Sequence, residues 1–165
     1  AIGANYLLRK EKVKQVLIID LDVHQGNGTA EIFKNDPRVF TFSMHGAKNY
    51  PIRKEQSDLD IGLEDGCNDE TYLALLSQHL NEVTQHFHPG FIFYQAGVDV
   101  LETDKLGRLG LTKEGCKRRD HYVLDFAQRN QIPMVVCMGG GYSPNIKDII
   151  DAHANTFKLA QHMFF

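Results

Sequence analysis

Residues 16–29 read VLIIDLDVHQGNGT, an apolar run that passes without a turn into aspartate and histidine. The run at 16–21 does not alternate with polar residues, which is typical of a strand buried on both faces of a parallel sheet. Because residues two apart on an extended chain point the same way, Asp20, Asp22 and His24 share one side of the strand's carboxyl end. Open α/β sheets bind their ligands at that end, so the stretch predicts a site as well as a strand.

Other apolar runs predict further strands of the same kind, at 39–44, 91–97 and 133–138. Segments with helical periodicity alternate with the strands, at 29–35, 69–88, 112–130 and from about 145 to the C-terminus. This alternation predicts an α/β fold with a parallel sheet flanked by helices. Residues 45–68 are predicted to form one long irregular connection, and a loop of that length is often functional.

Composition restricts the class of function. The chain has 165 residues, which suits one domain, and a formal net charge of −3. A net charge of this sign indicates no basic surface for nucleic acid and no polybasic patch for a membrane. Neither nucleic acid nor a membrane is therefore expected as a direct partner. The three cysteines are far apart and odd in number, which indicates neither a disulfide framework nor a metal knuckle. A reducing, cytoplasmic compartment is the default expectation, or a nuclear one in a eukaryote.

Two more strand ends carry residues that suit a site. Asp99 lies just past the strand at 91–97, and such an aspartate alone most often caps a turn. Two strands that each bring a carboxylate to one edge favour a metal instead, and two carboxylates with one imidazole leave a position for water, as in catalytic zinc sites. The strand at 133–138 ends in three glycines and Tyr142, whose hydroxyl could reach a reacting carbonyl or simply pack on the surface.

The remaining polar residues are interpreted as structural or solvated. Lys117-Arg118-Arg119 is predicted to be a solvated helix face. Six histidines are assigned to helix ends or helix surfaces: His79, His86, His88, His121, His153 and His162. His45 lies nearer the sheet edge, where it could pack the loop or serve as a catalytic base.

Three motifs together resemble the zinc-dependent histone deacetylase family: DLDVHQGNGT at 20–29, AGVDVLETDKLGRLGLT at 96–112 and MGGGYSP at 138–144. They look most like the class IV branch and its bacterial relatives, and the resemblance covers nearly the whole chain. It implies the arginase/deacetylase fold, with residues 1–165 as the C-terminal portion of a single deacetylase domain. The family's tandem histidine pair has no counterpart here, so we expect the remainder of the domain to supply it and residues 1–165 alone to be inactive.

The resemblance also assigns residues. Asp22, His24 and Asp99 match the zinc ligands. Tyr142 matches the tyrosine that polarises the scissile carbonyl, Asp20 matches a carboxylate that orients a catalytic histidine, and Gly140 and Gly141 are expected beside the substrate. A structural monovalent cation, usually potassium, is implied behind the zinc, with ligands that match Asp20, Ser43 and Met44 together with Asp22 and His24. Asn27 is a departure, because many members carry an aspartate there.

The implied reaction is zinc-dependent hydrolysis of an acyl-amide, either an acylated lysine peptide or an acetylated small amine. Two alternatives stay open. A binuclear manganese ureohydrolase shares the fold, but it needs a bridging carboxylate two residues after the histidine, where this chain has Gly26. A catalytically silent scaffold is the other, which the intact ligands and Tyr142 argue against.

Overall fold

The sheet has five strands, all parallel, in the order β3-β2-β1-β4-β5. The computed structural model describes all residues, 1–165. The strands are β1 Val16–Asp20, β2 Val39–Gly46, β3 Leu59–Leu63, β4 Phe91–Gly97 and β5 Met134–Gly139. The helices are α1 Ile2–Arg9, α2 Asn27–Phe33, α3 Asp69–His86, α4 Lys113–Arg129 and α5 Ile146–Phe164. The predicted α/β class is therefore confirmed.

Helices cover both faces of the sheet. Along β1, Val16 and Ile18 face a small core with α1 and α2, whereas Leu17 and Ile19 face the main core with α3, α4 and α5. Alternate residues of one strand thus enter opposite cores, which is why the apolar run shows no polar alternation. No helix is long and apolar enough to cross a membrane.

The order of the strands sets the place of the site. β1 is the central strand and pairs with β4, so that Asp20 lies opposite Gln95. The loops that follow β1 and β4 therefore leave the sheet side by side. Asp22 lies on the first loop and Asp99 on the second, at the carboxyl edge where α/β sheets bind ligands.

Two expectations about the fold were wrong. Residues 45–68 are not wholly irregular, because β2 continues to Gly46 and β3 forms an edge strand paired with β2. In the α4 triplet, Arg118 is exposed but Arg119 is fully buried, so Lys117–Arg119 is not a solvated face. Arg119 lies three residues after buried Cys116 and four before buried Val123, so it shares their helical face.

Candidate metal centre

The two carboxylates and the imidazole predicted as ligands converge. Potential ligand atoms of Asp22, His24 and Asp99 all lie within 4.8 Å of one another. The Nδ1 atom of His24 is 3.0 Å from Asp22 Oδ1 and 3.3 Å from Asp99 Oδ2. Asp99 is buried, while Asp22 and His24 are half-buried, so the cluster opens to solvent on one side.

Glycines allow the backbone to pass close against these carboxylates. An ideal Cβ on Gly97 would lie 2.6 Å from Asp22 Cα. A Cβ on Gly140 would lie 2.4 Å from Asp99 Cγ, and Gly140 has a φ of +65°. Both distances are shorter than a nonbonded contact permits, so larger side chains would displace the cluster. Gly140 therefore has a structural role beside Asp99, while the place of Gly140 and Gly141 beside the substrate stays a prediction.

The cluster concentrates negative charge. Burial raises the pKa of Asp99 to about 6, and the neighbouring charge of Asp22 adds to that increase. Burial likewise raises the pKa of Asp20 to about 7, with smaller contributions from Asp22 and Asp99. No lysine or arginine forms an ion pair with any of these three carboxylates. A divalent cation would supply the compensating charge, and two carboxylates with one imidazole are a donor set that suits zinc with a position left open.

Asp20 lies directly behind the cluster. Its Oδ1 accepts the backbone N–H of Asp22 at 3.2 Å. Its register neighbour on β2 is Ser43, which is buried and whose Oγ lies 3.0 Å from His45 Nδ1. Met44 is fully buried and belongs to the main core. The structure thus places the residues predicted for a monovalent cation on neighbouring strands, and the ion itself remains a prediction.

Tyr142 follows the glycine turn on an exposed loop. Its side chain is exposed, and its backbone N–H donates to Asp104 Oδ2 at 2.6 Å. Asp104 also accepts the N–H groups of Leu106 and Gly107 through Oδ1, so one carboxylate joins the loop after β4 to the loop after β5. The role of the Tyr142 hydroxyl remains a prediction.

The other histidines lie outside the cluster. His45 is buried in β2, and burial lowers its pKa. Four of the six histidines expected on helix surfaces or ends are exposed: His86, His88, His121 and His162. His79 and His153 differ from that expectation, because both are half-buried. Burial lowers the pKa of His153, and the Gly140 backbone opposes that shift.

Two residues near the site were not predicted from the sequence. The buried Gln25 side chain donates to the Glu55 carbonyl and to Asp60 Oδ1, at 2.7 and 2.9 Å, and thereby fixes the loop before β3. The Arg119 side chain, on α4, donates to the backbone carbonyls of Leu21 and Gly97, which lie one and two residues before the predicted ligands Asp22 and Asp99. The sequence feature that could have indicated burial of Arg119 is its helical spacing from Cys116 and Val123, which puts all three residues on the buried face of α4 despite the charge of Arg119.

Comparison with known proteins identifies the family of the chain. The family model for the histone deacetylase domain matches residues 1–157. An uncharacterized protein of Picosynechococcus sp. is 42% identical over 164 residues, which are 99% of this chain and 55% of that protein. Histone deacetylase 2 of Arabidopsis thaliana is 33% identical over 142 residues, 84% of this chain and 37% of that protein. The chain thus spans from about a third to about half of these relatives.

Solved structures show the same fold. An HDAC homolog complexed with SAHA superposes with a TM-score of 0.80 at 27% identity, covering 97% of this chain and 44% of that one. Acetylpolyamine aminohydrolase from Burkholderia pseudomallei superposes with a TM-score of 0.82 at 23% identity, covering 98% and 48%. The sheet order and the superpositions agree with the family match: the fold is that of the arginases and deacetylases, and the chain belongs to the histone deacetylase family.

Proposed function

We propose that this chain carries the metal-binding part of the active site of a zinc-dependent deacylase that cleaves acyl-amides. The convergence of Asp22, His24 and Asp99 at the carboxyl edge of the sheet is the observation that carries the proposal. The substrate class we propose is an acylated lysine peptide or an acetylated small amine. The names of the similar proteins support that choice, since they include histone deacetylases and an acetylpolyamine aminohydrolase.

The residues of this chain have separate tasks in that reaction. Asp22, His24 and Asp99 would hold zinc, which when bound polarises the scissile carbonyl. The Tyr142 hydroxyl would donate to the oxygen that becomes negative as the carbonyl carbon turns tetrahedral. One such donor is commonly worth about 3–4 kcal/mol in the transition state. The Asp104 bond to the Tyr142 backbone would keep that donor near the metal edge.

The acid–base step we assign to polypeptide outside residues 1–165. The eight histidines of the chain include no adjacent pair, and His45 lies outside the ligand cluster. The relatives are longer than this chain, and β5 forms an exposed edge of the sheet. Val135 and Met138 on β5, with Ile150 and Phe157 on α5, are exposed apolar residues that we propose pack against that polypeptide.

The site favours zinc over a pair of manganese ions. A binuclear ureohydrolase would need a carboxylate at position 26, but an ideal Cβ there would lie 2.3 Å from Asp20 Oδ2. No side chain fits at that position without moving Asp20.

We further propose a monovalent cation, usually potassium, at Asp20, Ser43 and Met44, because oxygen ligands suit hard cations. Replacing potassium chloride with tetramethylammonium chloride should then lower the melting temperature of the full-length protein, and an unchanged value would count against that ion.

The experiment for the proposed function is metal add-back on the full-length protein. The protein is stripped with a chelator, reconstituted with zinc or manganese, and assayed with an acetyl-lysine peptide and with an acetylated polyamine. We expect turnover to return with zinc, to be lost in Asp99→Asn and to be unaffected in the exposed control Asp65→Asn. Absence of hydrolysis in the zinc-loaded protein with both substrates would refute the activity.

A further inference from the structure

Arg119 is a fully buried cation directly beneath the metal centre. Its Nη1 atom donates to the carbonyl oxygens of Leu21 and Gly97, at 3.1 and 2.6 Å. Leu21 immediately precedes Asp22, and Gly97 lies two residues before Asp99. One nitrogen of one side chain therefore joins the ends of the two strands that carry the metal ligands.

This contact occurs where the backbone pairing of β1 and β4 is interrupted. The ladder extends past β1 through the bond from Leu21 N–H to the Gln95 carbonyl, 3.1 Å. In a regular parallel ladder the next bond of that series would join Val23 N–H to the Gly97 carbonyl. Instead, Val23 N–H donates to the Asp99 carboxylate, and the Gly97 carbonyl accepts from Arg119. The guanidinium thus replaces a sheet hydrogen bond that the site has diverted to one of its own ligands.

Asp120 fixes the guanidinium in this position. Its Oδ1 accepts from Arg119 Nε at 2.9 Å and from the Tyr94 hydroxyl at 2.5 Å. Its Oδ2 accepts from the Thr156 hydroxyl at 2.6 Å. The ring of Tyr94 also lies beneath the guanidinium, with 6.0 Å from Arg119 Cζ to the ring centroid. Three elements, β4, α4 and α5, therefore determine the orientation of one buried cation.

Core packing alone does not account for this arrangement. Apolar side chains of similar volume commonly stabilise a core as well as a buried ion pair or better. An apolar residue at position 119 would leave the Leu21 and Gly97 carbonyls without this donor in a buried place. The planar, permanently charged guanidinium donates hydrogen bonds in fixed directions, which an aliphatic side chain cannot do.

We infer that Arg119, held by Asp120, is a positioning residue that sets the distance between the Asp22 and Asp99 carboxylates and so tunes the metal centre. The inference rests on the proposed metal site and assigns Arg119 no contact with substrate. It predicts an effect on the metal itself, because residues that orient ligands commonly change metal affinity or activity by about 10–100-fold.

Cobalt(II) binding to the full-length protein tests this directly. The variants are Arg119→Lys, which keeps the charge opposite Asp120 but loses the fork, and Arg118→Lys, the exposed neighbour on the same helix. We expect Arg119→Lys to weaken cobalt affinity by about tenfold or more, to change the visible cobalt spectrum, and to lower kcat more than it changes KM. Arg118→Lys should match the wild type in all three.

A folded Arg119→Lys protein with cobalt affinity within about twofold of wild type and an unchanged spectrum would overturn the inference. If Arg119→Lys does not fold, Tyr94→Phe decides, because it removes one hydroxyl that holds Asp120 and keeps Arg119. We expect it to weaken cobalt binding about threefold or more, and an unchanged affinity would overturn the inference.

If the wild-type protein binds cobalt but hydrolyses no acyl-amide, the proposed function is refuted. The inference about Arg119 is then still tested by comparing the cobalt affinities of the variants and the wild type. A wild type that binds no metal would overturn both.

Discussion

Asp99 accepts a hydrogen bond of 2.9 Å from the backbone N–H of Val23, the residue between the predicted metal ligands Asp22 and His24 on the loop after β1. The carboxylate thus has two tasks that use different oxygens. Its Oδ1 holds the loop after β1, while its Oδ2 faces His24 Nδ1 at 3.3 Å. Asp99 is buried and has no lysine or arginine partner, so it would gain both charge compensation and a ligand bond from a metal.

Replacement of Asp99 separates those tasks. Asp99→Asn keeps an oxygen for Val23 N–H and loses the charge, so we expect a folded protein whose zinc affinity falls by more than about 100-fold, beyond the effect of residues that only orient ligands. Asp99→Leu also removes the acceptor and should lower the unfolding free energy by a further ~1–3 kcal/mol. Chelator competition and chemical denaturation measure the two effects. Equal zinc affinity in Asp99→Asn and wild type would remove Asp99 from the ligand set.

Gly140→Ala should damage the site through the backbone. Position 140 has a φ of +65°, and the new Cβ would lie 2.4 Å from Asp99 Cγ. We expect a loss of about 1–3 kcal/mol in stability together with weaker zinc binding. Gly28→Ala is the matched control, since a Cβ there meets nothing within 4 Å in helix α2. It should leave stability unchanged or raise it by up to about 1 kcal/mol. Equal effects of the two substitutions on zinc binding would contradict the close approach of Gly140 to Asp99.

Tyr142→Phe should separate catalysis from metal binding. Its hydroxyl is assigned only to the developing oxyanion, so we expect turnover of the full-length protein to fall by about 10²–10³ with zinc content unchanged. Tyr6→Phe, a similarly exposed tyrosine on α1, should have no effect. Elemental analysis and steady-state kinetics on the same samples give both quantities. Wild-type turnover in Tyr142→Phe would exclude this role.

The metal-free protein should lose stability as the pH rises. The pKa of Asp99 is raised to about 6 and that of Asp20 to about 7, from 3.8. The folded state favours the protonated form of both carboxyls. Their contribution to the free energy of unfolding is therefore fully present below about pH 4, and it is lost as the pH rises through those two pKa values. With chelator present, the melting temperature of wild type relative to Asp20→Asn should fall between pH 5 and 8. With zinc in place of the chelator, the melting temperature of wild type itself should instead rise over this pH range, because the predicted zinc ligands must be deprotonated to bind the metal. A chelated wild type that shows no such fall would contradict the raised pKa of Asp20.

Much of this molecule could be predicted from local sequence. The runs that begin at Val16 and Val39 were recognised because burial on both faces leaves no polar alternation. The run that begins at Phe91 was recognised because its residues are mostly apolar, although alternate residues of that strand are only partly buried. The convergence of Asp22, His24 and Asp99 could be expected because parallel strands end at one edge of the sheet, and their role as metal ligands stays a prediction. The strand Leu59–Leu63 was missed, because it lies at the edge of the sheet, is only partly buried and contains a glycine and an aspartate. Only its pairing with β2 makes it a strand.

The missed part of the site depends on contacts that are distant in sequence. Arg119 reads as charged and solvated within Lys117-Arg118-Arg119, and nothing in the adjacent residues reveals its acceptors. Those acceptors are the carbonyls of Leu21 and Gly97, which lie 98 and 22 residues away along the chain. Gln25 is similar, since its partner Asp60 is 35 residues away. The predicted metal ligands follow local strand patterns, whereas Arg119 and Gln25 depend on contacts that only the tertiary structure reveals.

The most direct test of the metal centre is an anomalous-scattering map of the full-length protein, crystallised with zinc and measured on both sides of the zinc absorption edge. We expect one strong zinc peak, about 2.0–2.2 Å from the Asp22 carboxylate, the His24 imidazole and the Asp99 carboxylate. The peak should disappear in crystals of Asp99→Asn. A zinc peak elsewhere, or an Asp99 side chain turned away from Asp22 and His24, would contradict the account.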